Sequence, residues 1–358
     1  MTPTMKALVI HGPGDARVDE VAVPHPGPGQ VVVAVERAGI CGTDLELLDG
    51  TMPYLHDGSA VYPLRPGHEW SGRVLELGAG ISPDWSGVHV TGDTMIGCGD
   101  CRRCRDGRHN VCDRRYEIGV RGGWHGALAE RVLVPVVALR RLPDAMSPVM
   151  AAMVEPGGNA YRTVAAAGLR PGHRVCVWGA GTIGLLVLAF SLAEGAVVDV
   201  VAPRAASREM AERLGANRTF HPDGVPDHPY DAVIDATNNA SVPARAVEQV
   251  EPGGRVVLVG LAGSAATLDS RGLVLRDITV TGILAASQGL DPTIAAYSTG
   301  AVRPEPLVDR VITLQELAAL WSDASGDLSG RAPKIHVDPR RATATSPSSE
   351  SAVPAVTS

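Results

Sequence analysis

Four of the six cysteines fall in one short window, Cys98, Cys101, Cys104 and Cys112, with spacing C-x2-C-x2-C-x7-C. Thiolate sulfur suits a borderline-soft ion, and the x2 spacings let three sulfurs converge on one tetrahedral centre. The pattern predicts a structural zinc with all four positions filled by protein. Two other chemistries use clustered cysteines: a disulfide network, which needs an oxidising compartment, and an iron–sulfur cluster. Met1-Thr2-Pro3-Thr4-Met5-Lys6 lacks the apolar core of a secretory signal, so a cytoplasmic setting is expected, and that weighs against disulfides. A closed four-thiolate site has no open coordination position, so a reaction must be sought elsewhere. Cys176, inside an apolar run, reads as a small core residue. Cys41 stands in Gly39-Ile40-Cys41-Gly42-Thr43-Asp44, a Gly-rich loop and a poor place for core filling.

A second pattern implies a dinucleotide. The apolar strand Val175-Cys176-Val177-Trp178 runs directly into Gly179-Ala180-Gly181-Thr182-Ile183-Gly184, followed by a helical run over 185–194 and a strand over 197–201. G-x-G-x-x-G alone is a weak signal; between a strand and a helix of a βαβ unit it is strong. The first glycine permits the tight turn, and the second lets backbone approach a pyrophosphate. The third allows close helix–strand packing, and the helix N-terminus offers donors and a favourable dipole.

The elements that must position these groups divide the chain in two. Its 358 residues suffice for two cores, and 45% hydrophobic with 20% charged residues describes a globular protein. A net charge of −7 argues against a nucleic-acid binder despite the cysteine cluster, and no apolar run is long enough to span a membrane. Short β-branched runs at 6–10 and 31–35, punctuated by Pro24, Pro26, Pro28 and Gly29, open an all-β module reaching about Pro143. Beyond Glu155, strands at 232–235, 255–260 and 278–282 alternate with helical stretches, as in a doubly wound parallel sheet. The Ser/Thr/Ala/Pro-rich end over 339–358 is expected to be disordered.

Taken in order, GICGTD, PGHEWSG, the four-cysteine lobe, VEP and GAGTIG resemble the zinc-dependent medium-chain dehydrogenase/reductase family of alcohol, sorbitol and threonine dehydrogenases. The resemblance covers about 5–338 and is closest to polyol and aminocyclitol dehydrogenases. It implies a two-domain α/β fold: a GroES-like catalytic domain (1–157 and 288–338, with the zinc lobe at about 95–115) wrapped around a Rossmann domain (158–287). It implies two zincs per chain, a nicotinamide cofactor, a small-molecule substrate and a homodimer or homotetramer, with strand pairing near 278–282. Cys41 and His68 match the first two ligands of a catalytic zinc, and Glu155 matches the third, direct or through water. Glu69 matches an acidic neighbour of the metal, Asp44 a carboxylate orienting His68, and Thr43 the hydroxyl that passes the substrate proton outward. Thiolate, imidazole and carboxylate would leave one position open for a Lewis-acid role. Glu46 stands where liver-type members carry the next relay histidine, a departure from the pattern.

NAD-preferring members end the second Rossmann strand with an acid that binds the ribose hydroxyls. Here that position is Ala202, followed by Pro203, Arg204, Ser207 and Arg208, so NADP(H) is favoured over NAD(H). Asp235 and Thr237 are expected on the adenosine side of the cofactor, and Val259, Gly260 and Leu261 on the nicotinamide side. The implied reaction is hydride transfer between the nicotinamide and a secondary alcohol or ketone of a polyol, sugar or cyclitol. Trp124 and His125 are candidate pocket-wall residues. Pro156-Gly157-Gly158-Asn159 and the loop 51–62 leave room for two other readings on this fold: a specialised reductase or cyclase, or a non-enzymatic NADPH-binding sensor.

Overall fold

The computed structural model describes residues 2–227, 229–322 and 330–341. Apart from its first three residues, the tail expected to be disordered lies outside the described residues.

The first sheet is organised around strand Gln30–Gly39. Its valines Val31, Val32, Val33 and Val35 are fully buried, because the strand is covered on both faces. It pairs antiparallel with Glu69–Leu77, with Arg131–Pro135 and, at its C-terminal end, with Lys334–Val337. Val308–Ile312 adds in parallel to Lys334–Val337, so the chain returns to this sheet after completing the second one. Trp70 sits at the centre of the core, and a Cβ on Gly92 would lie 2.5 Å from its ring. Helix Leu314–Ser322 closes the same core with Leu314, Leu317 and Trp321.

The second sheet has six parallel strands in the order Arg218–Phe220, Val197–Val201, Arg174–Trp178, Tyr230–Asp235, Val250–Leu258, Thr279–Gly282. This is a Rossmann sheet, and the strand order reverses between Arg174–Trp178 and Tyr230–Asp235, where such sheets bind ligands. Helix Thr182–Ala193 buries Leu185, Leu186, Val187 and Leu188 completely. A helix apolar on nearly every side must be covered on nearly every side, here by the sheet and by helix Val154–Ala167. The expected run Pro156-Gly157-Gly158-Asn159 lies inside that second helix. A Cβ on Gly157 would stand 2.3 Å from the Tyr297 hydroxyl, and one on Gly158 would stand 2.8 Å from Ala286. Its small residues therefore serve close helix packing and lend no support to a redirected chemistry.

The cysteine lobe is tied to the second half of the chain by polar contacts. Asn110 Nδ2 donates to the Leu284 carbonyl (3.0 Å), and Gln288 Nε2 donates to the Gly107 carbonyl (2.7 Å). Among the described residues no helix is long and apolar enough to cross a membrane.

Candidate active site

Strand Gln30–Gly39 ends just before Cys41, which caps helix Gly42–Asp49. Asp44, fully buried in the first turn, accepts from the Cys41 amide through Oδ2 (2.9 Å) and from the Gly67 amide through Oδ1 (3.1 Å). One carboxylate thus ties together the two loops that carry Cys41 and His68. Gly67 has φ of 102°, and a Cβ there would lie 2.6 Å from the Leu128 amide nitrogen, so only glycine fits the turn that aims His68. His68 Nδ1 stands 3.5 Å from Asp44 Oδ1, at the outer limit of a hydrogen bond. Burial opposes charge on the His68 ring, yet Asp44 and then Cys41 hold its basicity well above the ordinary range.

Ligand atoms of Cys41, His68 and Glu69 lie within 4.8 Å of one another. Sulfur, imidazole nitrogen and carboxylate oxygen are a donor set that zinc accepts. The structure therefore puts Glu69, expected only as a neighbour, into the cluster, and leaves Glu155, expected as third ligand, outside it. Glu155 is nonetheless buried beside the cluster. Burial pushes its carboxyl up to about 7, with His68 lowering and Glu69 raising it, and Asn159 Nδ2 donates to its Oε1 (3.0 Å). Thr43 is half-buried in the first turn of the Cys41 helix, and burial raises the half-buried Glu46 carboxyl.

Sequence reasoning missed Lys334. Its ammonium donates to both Glu69 oxygens (2.8 and 2.6 Å) and to the Ile40 carbonyl (2.8 Å), with both side chains almost fully buried. Burial works against its charge, and Glu69 first, with Cys41 and Asp44, more than restores it. The partners are 265 positions apart; the only hint in the sequence was that this chain holds a single lysine besides Lys6.

In the lobe, Cys98 Sγ is 3.9 Å from Cys104 Sγ and Cys101 Sγ is 3.8 Å from Cys112 Sγ. A tetrahedron with zinc–sulfur bonds of about 2.3 Å has edges of about 3.8 Å. These separations fit one central ion and exclude disulfides, whose sulfurs are about 2.05 Å apart. The lobe is a four-cysteine structural zinc site.

A cleft of about 650 Å³ opens beyond the C-terminal ends of Arg174–Trp178 and Val197–Val201, lined among others by Gly181, Thr182, Arg204, Ser207 and Arg331. The three glycines differ in what a side chain would meet. Gly179 has φ of 101°, a Cβ on Gly184 would clash with the Gly179 carbonyl at 1.9 Å, and a Cβ on Gly181 would meet only open space. Ile183 packs on the Rossmann core. Ala202 is buried at the end of its strand, and Arg204 caps the next helix at the cleft. Arg208 departs from expectation: its guanidinium donates to the Ala202 and Pro203 carbonyls (2.8 Å each), which fastens the turn instead of facing the cleft. Arg331, which sequence reasoning also missed, supplies a cation to the cleft from the returning segment. Asp235 turns its carboxylate onto Thr237 (amide 2.9 Å, hydroxyl 2.7 Å), and its carbonyl accepts from the Val259 and Gly260 amides. These residues knit the ends of Tyr230–Asp235 and Val250–Leu258 together, while Leu261 is exposed. Trp124 and His125 line a different cavity of about 70 Å³.

Residues 27–144 match the alcohol dehydrogenase GroES-like domain, and residues 182–298 match the zinc-binding dehydrogenase domain. The L-threonine 3-dehydrogenase of Pyrococcus horikoshii is 35% identical over 79% of this chain and 84% of its own length. An alcohol dehydrogenase from Escherichia coli CFT073, complexed with NADH, superposes with a TM-score of 0.86 at 26% identity, covering 94% of this chain and 99% of that one. A zinc-binding dehydrogenase from Sinorhizobium meliloti 1021, bound to NADP, also gives 0.86, at 29% identity, with coverage of 94% and 100%.

Proposed function

The chain belongs to the zinc-containing medium-chain alcohol dehydrogenase family and is a zinc-dependent oxidoreductase with a nicotinamide cofactor, and from that premise we propose that it is an NADP(H)-preferring dehydrogenase of a secondary alcohol on a polyol, sugar or cyclitol. One observation carries the location of the chemistry. Residues 330–333 line the dinucleotide cleft, and the next residue, Lys334, is bonded to Glu69 of the Cys41–His68–Glu69 cluster. That adjacency along the returning segment supports a single site shared by cofactor cleft and metal cluster.

Cys41 and His68 would hold the catalytic zinc, with Glu69 or Glu155 as the carboxylate, and the bound ion would supply Lewis-acid stabilisation of negative charge on the alcohol oxygen. The chain's own residues do the rest. Asp44 fixes the two ligand loops and faces the His68 ring, which sets the direction of its other nitrogen. Thr43 accepts the hydroxyl proton and passes it outward. The turn at Gly179 and the bare Gly181 admit the pyrophosphate and fix the distance over which hydride moves. NADP(H) preference is supported by Ala202 in place of an acid and by Arg204, Ser207 and Arg331 on the cleft wall, positioned for charge-assisted bonds to a 2′-phosphate. The catalytic unit would comprise 1–157 and 288–338, the dinucleotide unit 158–287. Assembly as a homodimer or homotetramer is supported by the edge strand Thr279–Gly282 and by Leu261, Val274 and Leu275, which are 68%, 80% and 71% exposed; light scattering on the eluting protein reads the mass and separates the two.

The test follows reduced-nicotinamide absorbance with NAD⁺ and NADP⁺ separately across polyols, cyclitols and simple alcohols. Turnover of a polyol with NADP⁺ is expected, and Arg204→Ala should raise the KM for NADP⁺ about tenfold or more, the loss of one charge-assisted bond, without changing that for NAD⁺. Turnover with NAD⁺ alone would overturn the cofactor assignment.

A further inference from the structure

The smaller cavity, about 70 Å³, lies where the loop 60–65 faces the loop 119–125. Three basic side chains line it, Arg65, Arg121 and His125, between apolar walls that include Leu64, Val120 and Trp124. Arg65 is partly desolvated by burial, with no acid contributing to hold its charge. Arg121 stacks over the Tyr54 ring, 5.2 Å from its centroid, and its Nη1 is buried without a hydrogen-bond partner. The carboxylate that feels Arg121 is Asp57, which is exposed. His125 stands exposed at the mouth of the cavity, and the Arg65 charge beside it works against protonation of its ring.

Two guanidiniums at one small cavity, without an internal counter-ion, are costly unless something negative joins them. Guanidinium forks match the oxygen pairs of phosphate and carboxylate, and each such bond is stronger where water is partly excluded. The cavity also has an address. Gly119 packs against Gly67, where a Cβ would meet the Gly67 carbonyl at 2.7 Å, and Gly67 precedes His68. We propose that this cavity binds one oxyanion group, a phosphate or carboxylate, gripped by Arg65 and Arg121 with His125 as a third donor. The group comes either from a free small anion or from the charged end of the substrate reaching back from the reaction centre. The site stands on this cluster and does not depend on the alcohol or cofactor assigned above.

Inorganic phosphate is titrated into the full-length, zinc-loaded protein at constant ionic strength set with chloride, followed by calorimetry and by tryptophan fluorescence against Trp124→Phe. Saturable binding in the range of about 1–10 mM is expected, and Arg65→Gln and Arg121→Gln should each weaken it about tenfold. Arg65→Lys and Arg121→Lys, which keep the charge, should retain part of it, and zinc content establishes that every variant is folded at the metal sites. Absence of saturable binding in the wild type, or binding undisturbed in both glutamine variants, would overturn the site. Turnover separates the two sources. If phosphate raises the KM of carboxylated or phosphorylated alcohols and leaves that of neutral ones alone, the anion is the substrate's own. If phosphate binds and no KM moves, the site takes a free anion.

Discussion

The two metal-binding regions are built on opposite plans. In the lobe, four like ligands come from one short window, close on a single point with sulfur separations of 3.8 and 3.9 Å, and leave no room for a fifth group. The other cluster takes unlike ligands from two loops, and its charges are balanced by an ammonium from a strand near the end of the chain. A closed thiolate set can only stabilise; a mixed, incomplete set beside a cleft can turn over substrate. The open cluster must therefore be held by the surrounding fold: by Asp44 bridging two loops and by Lys334 gripping Glu69.

That contrast can be broken by experiment. Cys41→Ser should abolish most turnover, about a thousandfold for the loss of several kcal/mol of Lewis-acid stabilisation, while the melting temperature changes little. Cys112→Ser should do the reverse, lowering the melting temperature by about 10 °C or more as the lobe loses its ion. Metal analysis should find one zinc per chain left in each variant; if Cys112→Ser keeps both zinc and melting temperature, the lobe is not the closed site described here.

Lys334→Met tests whether the open cluster depends on distant charge. It leaves Glu69 buried without its partner, at an expected cost of about 3–5 kcal/mol in denaturant unfolding. An unchanged midpoint would mean that water or a neighbour replaces the ammonium. A smaller effect concerns acid. His336 lies on the Lys334 strand, fully buried with neither ring nitrogen hydrogen-bonded, and its basicity is pushed down to about 3 by burial, then by Lys334 and Arg37. Above pH about 6.5 the ring is neutral in folded and unfolded chains alike and contributes nothing to the pH dependence. As pH falls from about 6.5 towards 3, only the unfolded chain takes up the proton, so stability drops by up to about 1.4 kcal/mol per pH unit. His336→Leu should flatten that slope by close to one proton, read from unfolding midpoints between pH 6 and 4; an unaltered slope would place the acid sensitivity elsewhere.

What sequence alone determined is local. The spacing of Cys98, Cys101, Cys104 and Cys112, and the glycines between the strand ending at Trp178 and the helix behind it, are short-range patterns because each serves a geometry built within one turn or loop. The parallel strands were readable for the same reason, as compact β-branched runs. The structure alone showed that Glu69 lies with Cys41 and His68 while Glu155 is buried beside them. It also decided that Lys334 neutralises Glu69, that Arg208 fastens its own turn while Arg331 faces the cleft, and that Arg65, Arg121 and His125 share one cavity. Each of these depends on which distant strands pair and which side chains lose water together. A charge buried far from its partner in sequence leaves no periodicity to read, since the free energy that places it comes from desolvation and pairing in the folded interior.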